Sequence, residues 1–232
     1  MNELILICSL IGEFALVLLA YRLFGKAGLY AMTVFCTVCA NIEVMILVDA
    51  FGISQTLGNT LFACTFVITD ILSENEGKKY ASTAAKLSIF VTAAFMVLTQ
   101  IWQLYTPSAD DTVMDGVRTL FANTPRVMLA SLIVNALAQL LDVWLYHKIW
   151  ELTTKKSGDS KRFLWLRNNA ATLITQLVNA ILFTLGAFGG MYPVSVLVSI
   201  MVSSYAVFIV TSLCDTPVVY LARIMKNKNM IK

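Results

Sequence analysis

Two carboxylates stand inside an apolar run near the middle of the first half of the chain. The stretch TFVITDILSENEGKK, residues 65–79, places Asp70 and Glu74 one helical turn apart, on the same face of a helix. An ionised group at bilayer depth costs at least about 2.5–3.5 kcal/mol on insertion scales, so it usually faces a cavity or a partner. We therefore expect Asp70 to point into a binding cavity. Glu74 either extends that polar path or anchors the turn that ends at Gly77.

Polar side chains also form one stripe on each of two later apolar runs. The first stripe consists of Ser131, Asn135, Gln139 and Asp142, and the second of Thr172, Gln176 and Asn179, followed by Phe183. Spacings of three and four residues place each set on one helical face. Interhelical hydrogen bonds, worth about 0.6 kcal/mol each, explain amides and hydroxyls. A lone carboxylate such as Asp142 needs a cation, a shared proton or a ligand, and Arg126 and Arg167 are the candidate cations.

The two stripes share a short repeat, QLLDVWLY from Gln139 and QLVNAILF from Gln176. Consecutive membrane helices run in opposite directions, so a shared pattern is typical of a pseudo-two-fold axis in the membrane plane. Transporters place substrate sites at such repeat interfaces. The repeat therefore predicts a binding site between these two segments.

The chain that must position these residues is an integral membrane protein. Of its 232 residues, 58% are apolar and only 13% are charged, which is too few to coat a soluble domain. The apolar runs lack strict alternation, so they predict helices that satisfy their own backbone hydrogen bonds in lipid. We expect an all-α fold, a single transmembrane domain over residues 1–232. Its seven predicted segments are 4–24, 27–50, 56–74, 80–104, 124–150, 163–187 and 193–223, of which the third is short enough to be broken.

The basic residues predict how the chain lies in the membrane. With seven crossings, only Arg118 and Arg126 of the 17 basic residues fall on one side, and the other 15 share the opposite side. By the positive-inside rule, the amino terminus is then outside and the carboxyl terminus cytoplasmic.

Other features argue against several classes of protein. The net charge of +3 argues against a nucleic-acid partner. The five cysteines lie in apolar runs, and the CxxC of Cys36 and Cys39 has no second pair or histidine, so it predicts packing and not a metal site. The sequence has no HExxH, GxSxG or phosphate-binding loop, so we expect no enzyme, no cofactor and no metal.

Four blocks of the sequence follow one another over about residues 56–223: FVITDILSENEGKK, RVMLASLIVNALAQLLDVWLY, LWLRNNAATLITQLVNAILFTLGAFGG and LCDTPVVYL. Together, and in this order, they resemble the bacterial queuosine precursor transporters, also called the vitamin uptake transporter family. The resemblance implies a six-helix core with an added first helix, and import of a deazaguanine base across the bacterial inner membrane. The matching polar positions are Asp70, Glu74, Arg126, Gln139, Asp142, Arg167, Gln176 and Asp215.

The chemistry of a deazaguanine is complementary to these side chains. Its N–H donors lie beside a carbonyl acceptor, so carboxylates and amide or guanidinium donors would bind its edge, and aromatic rings would flank its faces. The predicted substrate-binding residues are Asp70, Glu74, Arg126, Asn135, Gln139, Asp142, Gln176 and Asn179, with Phe66 and Phe183 as walls. The family commonly has Asp-Thr where this chain has Asn179 and Ala180, so the choice among cyano, aminomethyl and queuine forms stays open.

Alternatives remain open for partners and energy source. The chain could instead be a vitamin-binding membrane subunit that needs separate ATPase partners, or an importer of another small heterocycle. An importer acting alone would use proton coupling, or metabolic trapping of the base after downhill entry. A homodimer in the bilayer is compatible with all of these.

Overall fold

A computed structural model describes residues 1–121, 125–159 and 161–231, without the side chains of residues 53, 54 and 125. The elements are α1 (Asn2–Glu43), β1 (Leu47–Ala50), β2 (Ile53–Thr56), α2 (Asn59–Asn75), α3 (Lys78–Gln103), α4 (Met114–Leu120), α5 (Pro125–Ser157), α6 (Leu164–Phe188) and α7 (Val194–Asn227). Within this part of the chain, α1, α3, α5, α6 and α7 are long and apolar enough to cross a membrane. The expected all-α polytopic membrane fold is confirmed.

The helix α1 folds back on itself at Gly25, whose backbone has φ 56° and ψ −137°. A straight helix of its 42 residues would be about 63 Å long. Instead, Asn2 Nδ2 donates to the carbonyl oxygen of Asp49 at 2.9 Å. The two arms therefore lie antiparallel, and a Cβ added at Gly28 would overlap the carbonyl oxygen of Ala20. The arms correspond to the first two predicted segments.

The second predicted segment is wrong at its carboxyl end. The helix α1 ends at Glu43, and Leu47–Ala50 forms the strand β1, which pairs antiparallel with β2. The two residues between the strands, Phe51 and Gly52, have φ of 55° and 75°, and positive φ at both positions is the geometry that suits the twist of a two-residue hairpin. The strand β1 contains residues as apolar as those of α1, so a prediction from hydropathy alone places the end of the helix too late.

The helix α2 lies at the centre of the bundle. All of its residues from Ala63 to Ser73 are buried, and it packs against α1, α3, α5 and α7. It is one unbroken helix of 17 residues, or about 26 Å. A helix enclosed on every side can carry polar groups without exposing them to lipid, which explains why this predicted segment is the most polar.

The two ends of the bundle are distinguished by their contacts. At one end, the Glu76 carboxylate accepts from Tyr21 Oη at 2.9 Å and lies 3.8 Å from Lys26 Nζ and 2.7 Å from Lys226 Nζ. We call this the basic end. The hairpin of β1 and β2 lies at the opposite end with Asn2, and we call that the hairpin end.

We expect Gly28→Ala to destabilise the protein by about 1–3 kcal/mol, because the added methyl group overpacks the contact between the two arms of α1. Thermal unfolding of the purified protein in detergent measures this. Gly12→Ala is the matched control, since it lies in the same helix and a Cβ there meets nothing within 4 Å. Equal melting temperatures for the two variants would contradict the close packing of the arms.

Candidate functional site

A buried ion pair at the basic end joins α2 to α6. Arg167 donates to Glu74 Oε2 through Nε at 3.0 Å and through Nη2 at 2.5 Å, and the two side chains are 0% and 3% exposed. Tyr146 of α5 donates to the same oxygen at 2.8 Å, and Arg223 of α7 lies 3.4 Å from Glu74 Oε1. Arg167 also donates to the Arg162 carbonyl oxygen at 2.7 Å. Glu74 is thus an anchor for three neighbouring helices.

Three aspartates from three helices form a second buried layer, which we call the acid cluster: Asp70, Asp142 and Asp215. Each is 1% exposed or less. Asn168 donates to Asp215 Oδ1 at 2.7 Å, and Thr172 donates to Asp142 Oδ1 at 3.3 Å. Among the described residues, both carboxylate oxygens of Asp70 and Oδ2 of Asp142 have no hydrogen-bond donor. The acid cluster is therefore incompletely satisfied.

A cavity of about 640 Å³ occupies the half of the bundle nearer the hairpin end, where Gln55 and Thr56 of β2 contribute to its wall. Five of the predicted site residues line it: Phe66, Asn135, Gln176, Asn179 and Phe183. Asn179 Nδ2 donates to Gln176 Oε1 at 3.0 Å. This bond leaves Gln176 Nε2 to donate and Asn179 Oδ1 to accept, so the pair has both donor and acceptor capacity at the cavity wall.

The cavity, the acid cluster and the ion pair follow one another along the helices. Phe66, Asp70 and Glu74 are spaced by four residues on α2, which separates successive layers by about 6 Å. Gln139 connects the first two layers, because it donates to Thr65 Oγ1 at 2.7 Å while the adjacent Ala138 lines the cavity. A ligand in the cavity is thus about one helical turn away from the acid cluster.

The structure separates the predicted site residues into these layers. Asp70 and Asp142 lie in the acid cluster, and Glu74 lies in the ion pair. Gln139 lies on the side of the acid cluster that faces the cavity. Arg126 is exposed and donates to the carbonyl oxygens of Gly186 and Gly189 at 2.8 and 2.6 Å, so it caps the carboxyl end of α6. Arg167 pairs with Glu74, whereas the sequence analysis predicted it as a candidate cation for an aspartate. The binding roles themselves stay predictions.

Sequence reasoning missed the polar contacts between α6 and α7. Asn169 Nδ2 donates to Thr216 Oγ1 at 2.6 Å, and Asn168 Nδ2 lies 3.2 Å from the same oxygen. A signal was present, since Asn168 precedes Thr172 by four residues and so extends the second stripe by one turn.

We expect Arg167→Gln to destabilise the protein by about 3–5 kcal/mol, because it leaves the Glu74 carboxylate buried without its main partner. Thermal unfolding in detergent should then show a melting temperature lower by about 10 °C. Adding Glu74→Gln to this variant removes the uncompensated charge and should recover much of the loss.

The control for this ion pair is Lys155→Gln, which breaks an exposed contact of 2.8 Å with Glu151. Solvent screens such a pair, so no measurable change is expected. An Arg167→Gln protein as stable as this control would show that the buried pair is dispensable.

Comparison with known proteins places this arrangement in a family. A sequence model of the family described as "Putative vitamin uptake transporter" matches residues 56–222. The "Probable queuosine precursor transporter" of Bacillus subtilis (strain 168) is 37% identical over 213 residues, which cover 92% of this chain and 91% of that protein. No solved structure matches the chain. The family match includes α2, most of the cavity wall, the acid cluster and both partners of the ion pair, so this multi-pass membrane protein belongs to the vitamin uptake transporter family.

Proposed function

We propose that this protein imports a queuosine precursor, a 7-deazaguanine base, across the bacterial inner membrane. The name of the Bacillus subtilis relative supports the substrate class, because the identity of 37% extends over nearly the whole of both chains. The observation that carries the proposal is the cavity of about 640 Å³ with amide side chains and aromatic rings in its wall. This size lies within the usual range for small-molecule sites.

The cavity wall matches the chemistry of a deazaguanine. Asn179 Oδ1 would accept from an N–H group of the base, and Gln176 Nε2 would donate to its carbonyl oxygen. Asn135 adds a further amide, and the rings of Phe66 and Phe183 provide faces against which a flat heterocycle packs. Gln139 lies deeper, beside Ala138 of the cavity wall, and Asp70 and Asp142 lie deeper still in the acid cluster, so these three side chains would influence the base only indirectly.

Transport would proceed by alternating access. The cavity lies toward the hairpin end, while the ion pairs of Glu74 and Glu76 hold α1, α6 and α7 together at the basic end. The arrangement corresponds to a state closed at the basic end, whose ion pairs must separate to release the base. Pro217 in α7 lies between Asp215 and Arg223, and it removes one backbone hydrogen bond where such a bend would be needed.

The second candidate is a vitamin-binding membrane subunit that depends on ATPase partners. The family description, which names vitamins, is the observation that favours it. The two candidates differ in ligand and in autonomy, so binding by the purified chain and uptake by the chain alone distinguish them.

Binding tests the proposal directly. We expect 7-deazaguanine bases to raise the melting temperature of the purified protein. At a base concentration of 100 times the dissociation constant, binding adds about 2.7 kcal/mol to the free energy of unfolding. Biotin, thiamine and riboflavin serve as the vitamin panel and should have no effect. Stabilisation by a vitamin and by none of the deazaguanines would overturn the substrate assignment.

We expect Phe183→Ala to weaken deazaguanine binding about tenfold or more, since stacking of a base on an aromatic ring contributes about 1–3 kcal/mol. Calorimetric titration of the purified variant measures the change. Phe90→Ala is the matched control, because Phe90 is 69% exposed on α3 and lies outside the cavity wall. Equal affinities for the two variants would remove Phe183 from the site.

The basic end should face the cytoplasm, because Lys26, Arg167, Arg223 and Lys226 meet there. We expect a fluorescent reporter that matures only in the cytoplasm to be bright when fused after residue 232 in a bacterial host. Alkaline phosphatase at the same position, which needs the periplasm, should be inactive. The reverse pair of results, from stably expressed fusions, would invert the topology.

A further inference from the structure

The acid cluster has a charge that no contact in the described structure balances. Asp142, Asp215 and Glu74 lie close enough to Asp70 to repel its charge, and no ion pair among the described residues includes any of the three aspartates. Glu74 is balanced by Arg167 and Arg223, so these two arginines are already engaged. Transfer of isolated carboxylates into a low-dielectric interior is too costly to be left uncompensated. A positively charged species, either a metal ion or protons, must therefore neutralise the three aspartates.

Hydrogen bonding gives an independent indication of a ligand site. Apart from the aspartates, two fully buried side chains next to the cluster have oxygen atoms with no donor among the described residues: Gln139 Oε1, one helical turn before Asp142, and Asn168 Oδ1. Asn168 is in direct contact with the cluster, because its Nδ2 donates to Asp215. Thr172 carries a single hydroxyl proton, which it gives to Asp142, so it cannot also satisfy Asp70. The unsatisfied atoms of Asp70, Asp142, Gln139 and Asn168 are all oxygens.

An oxygen-only, negatively charged site selects a hard cation. Within the described residues, no three acidic, histidine or cysteine side chains are close enough together to hold a metal ion through those groups alone. A divalent metal held by three or more of these side chains around one point therefore does not fit. A monovalent cation does, either as Na⁺ shared by carboxylate, amide and hydroxyl oxygens or as H⁺ carried on the carboxylates.

We propose that the acid cluster of Asp70, Asp142 and Asp215 binds the coupling ion of transport, a hard monovalent cation, in a site separate from the substrate cavity. The coupling role depends on the proposed function as an importer. The ion-binding site does not depend on it.

The contacts explain how the two sites would communicate. Gln139 joins α5 to α2 through Thr65, directly between the cavity and the cluster, and Gln176 of the cavity wall is four residues from Thr172. A base that rearranges these amides would change the oxygen atoms offered to the ion. Tyr146 is a further ionisable group beside Asp70, and its hydroxyl donates to Glu74 Oε2 at 2.8 Å.

The experiment measures the thermal stability of the purified wild-type protein without substrate. One series replaces choline chloride with NaCl or KCl at constant ionic strength, and another varies the pH from about 5.5 to 8.5. If Na⁺ is the ion, a saturable rise of about 5–10 °C is expected at a hundredfold excess over its dissociation constant, with no such rise for K⁺. If H⁺ is the ion, Na⁺ has no effect and stability falls as the pH rises, since the carboxylates then lose their protons without gaining a partner.

Variants identify the residues responsible. Asp70→Asn and Asp142→Asn imitate the neutral carboxylic acid, so each should remain folded and lose the dependence on Na⁺ or on pH. Asp115→Asn is the control, because this acid lies on α4 with a side chain 99% exposed, and it should behave as wild type. If either cluster variant does not fold, the wild-type series alone decides.

Stability that depends neither on Na⁺ nor on pH overturns the proposal, as does a dependence that both cluster variants retain. Deazaguanine binding is measured separately by calorimetry. Binding without any ion effect would refute the ion site and leave the proposed function intact. An ion effect without deazaguanine binding would support the ion site and refute the proposed substrate.

Discussion

The buried ion pair between Glu74 and Arg167 is the contact on which the arrangement of the bundle depends. One carboxylate on the central helix accepts from Tyr146 of α5 and Arg167 of α6 and attracts Arg223 of α7. Removing either charge leaves the other in a low-dielectric interior, so the pair stabilises this packing mainly by making separation costly. Because these contacts gather the helices at the basic end, the space between the same helices can widen only toward the hairpin end, where the cavity lies.

The polar interior is graded in how fully its hydrogen bonds are satisfied. The carboxylate of the ion pair accepts from several donors, whereas the acid cluster has oxygen atoms that accept from none. The cavity wall carries amide groups that are available for hydrogen bonding. Buried polar groups without partners are expensive, and they persist where a ligand completes them. This gradient distinguishes the fully paired ion pair from the acid cluster and the cavity wall. Glu74 and Asp70, one turn apart on the same helix, therefore differ in their hydrogen-bond partners.

Several features could be predicted because they depend on local properties of the chain. Hydrophobic runs of membrane length predicted the helices. The distribution of basic residues placed Lys26 and Lys226 on one side of the membrane, and the structure brings both into contact with Glu76. The strand β1 was missed for the same reason. Leu47 and Val48 are as apolar as the helix before them, and the turn at Phe51 and Gly52 leaves only a weak sequence signal.

The sequence by itself determined the membrane class, the helical segments and which faces of α5 and α6 are polar, because composition and a spacing of three or four residues express these directly. Only the tertiary structure decided which partner each polar residue has. Arg167 meets Glu74 and not an aspartate, Arg126 caps α6, and Asn179 bonds Gln176 at the cavity wall. These outcomes depend on the rotation and depth of each helix against α2, which result from packing among residues far apart in the chain and leave no periodic trace along it.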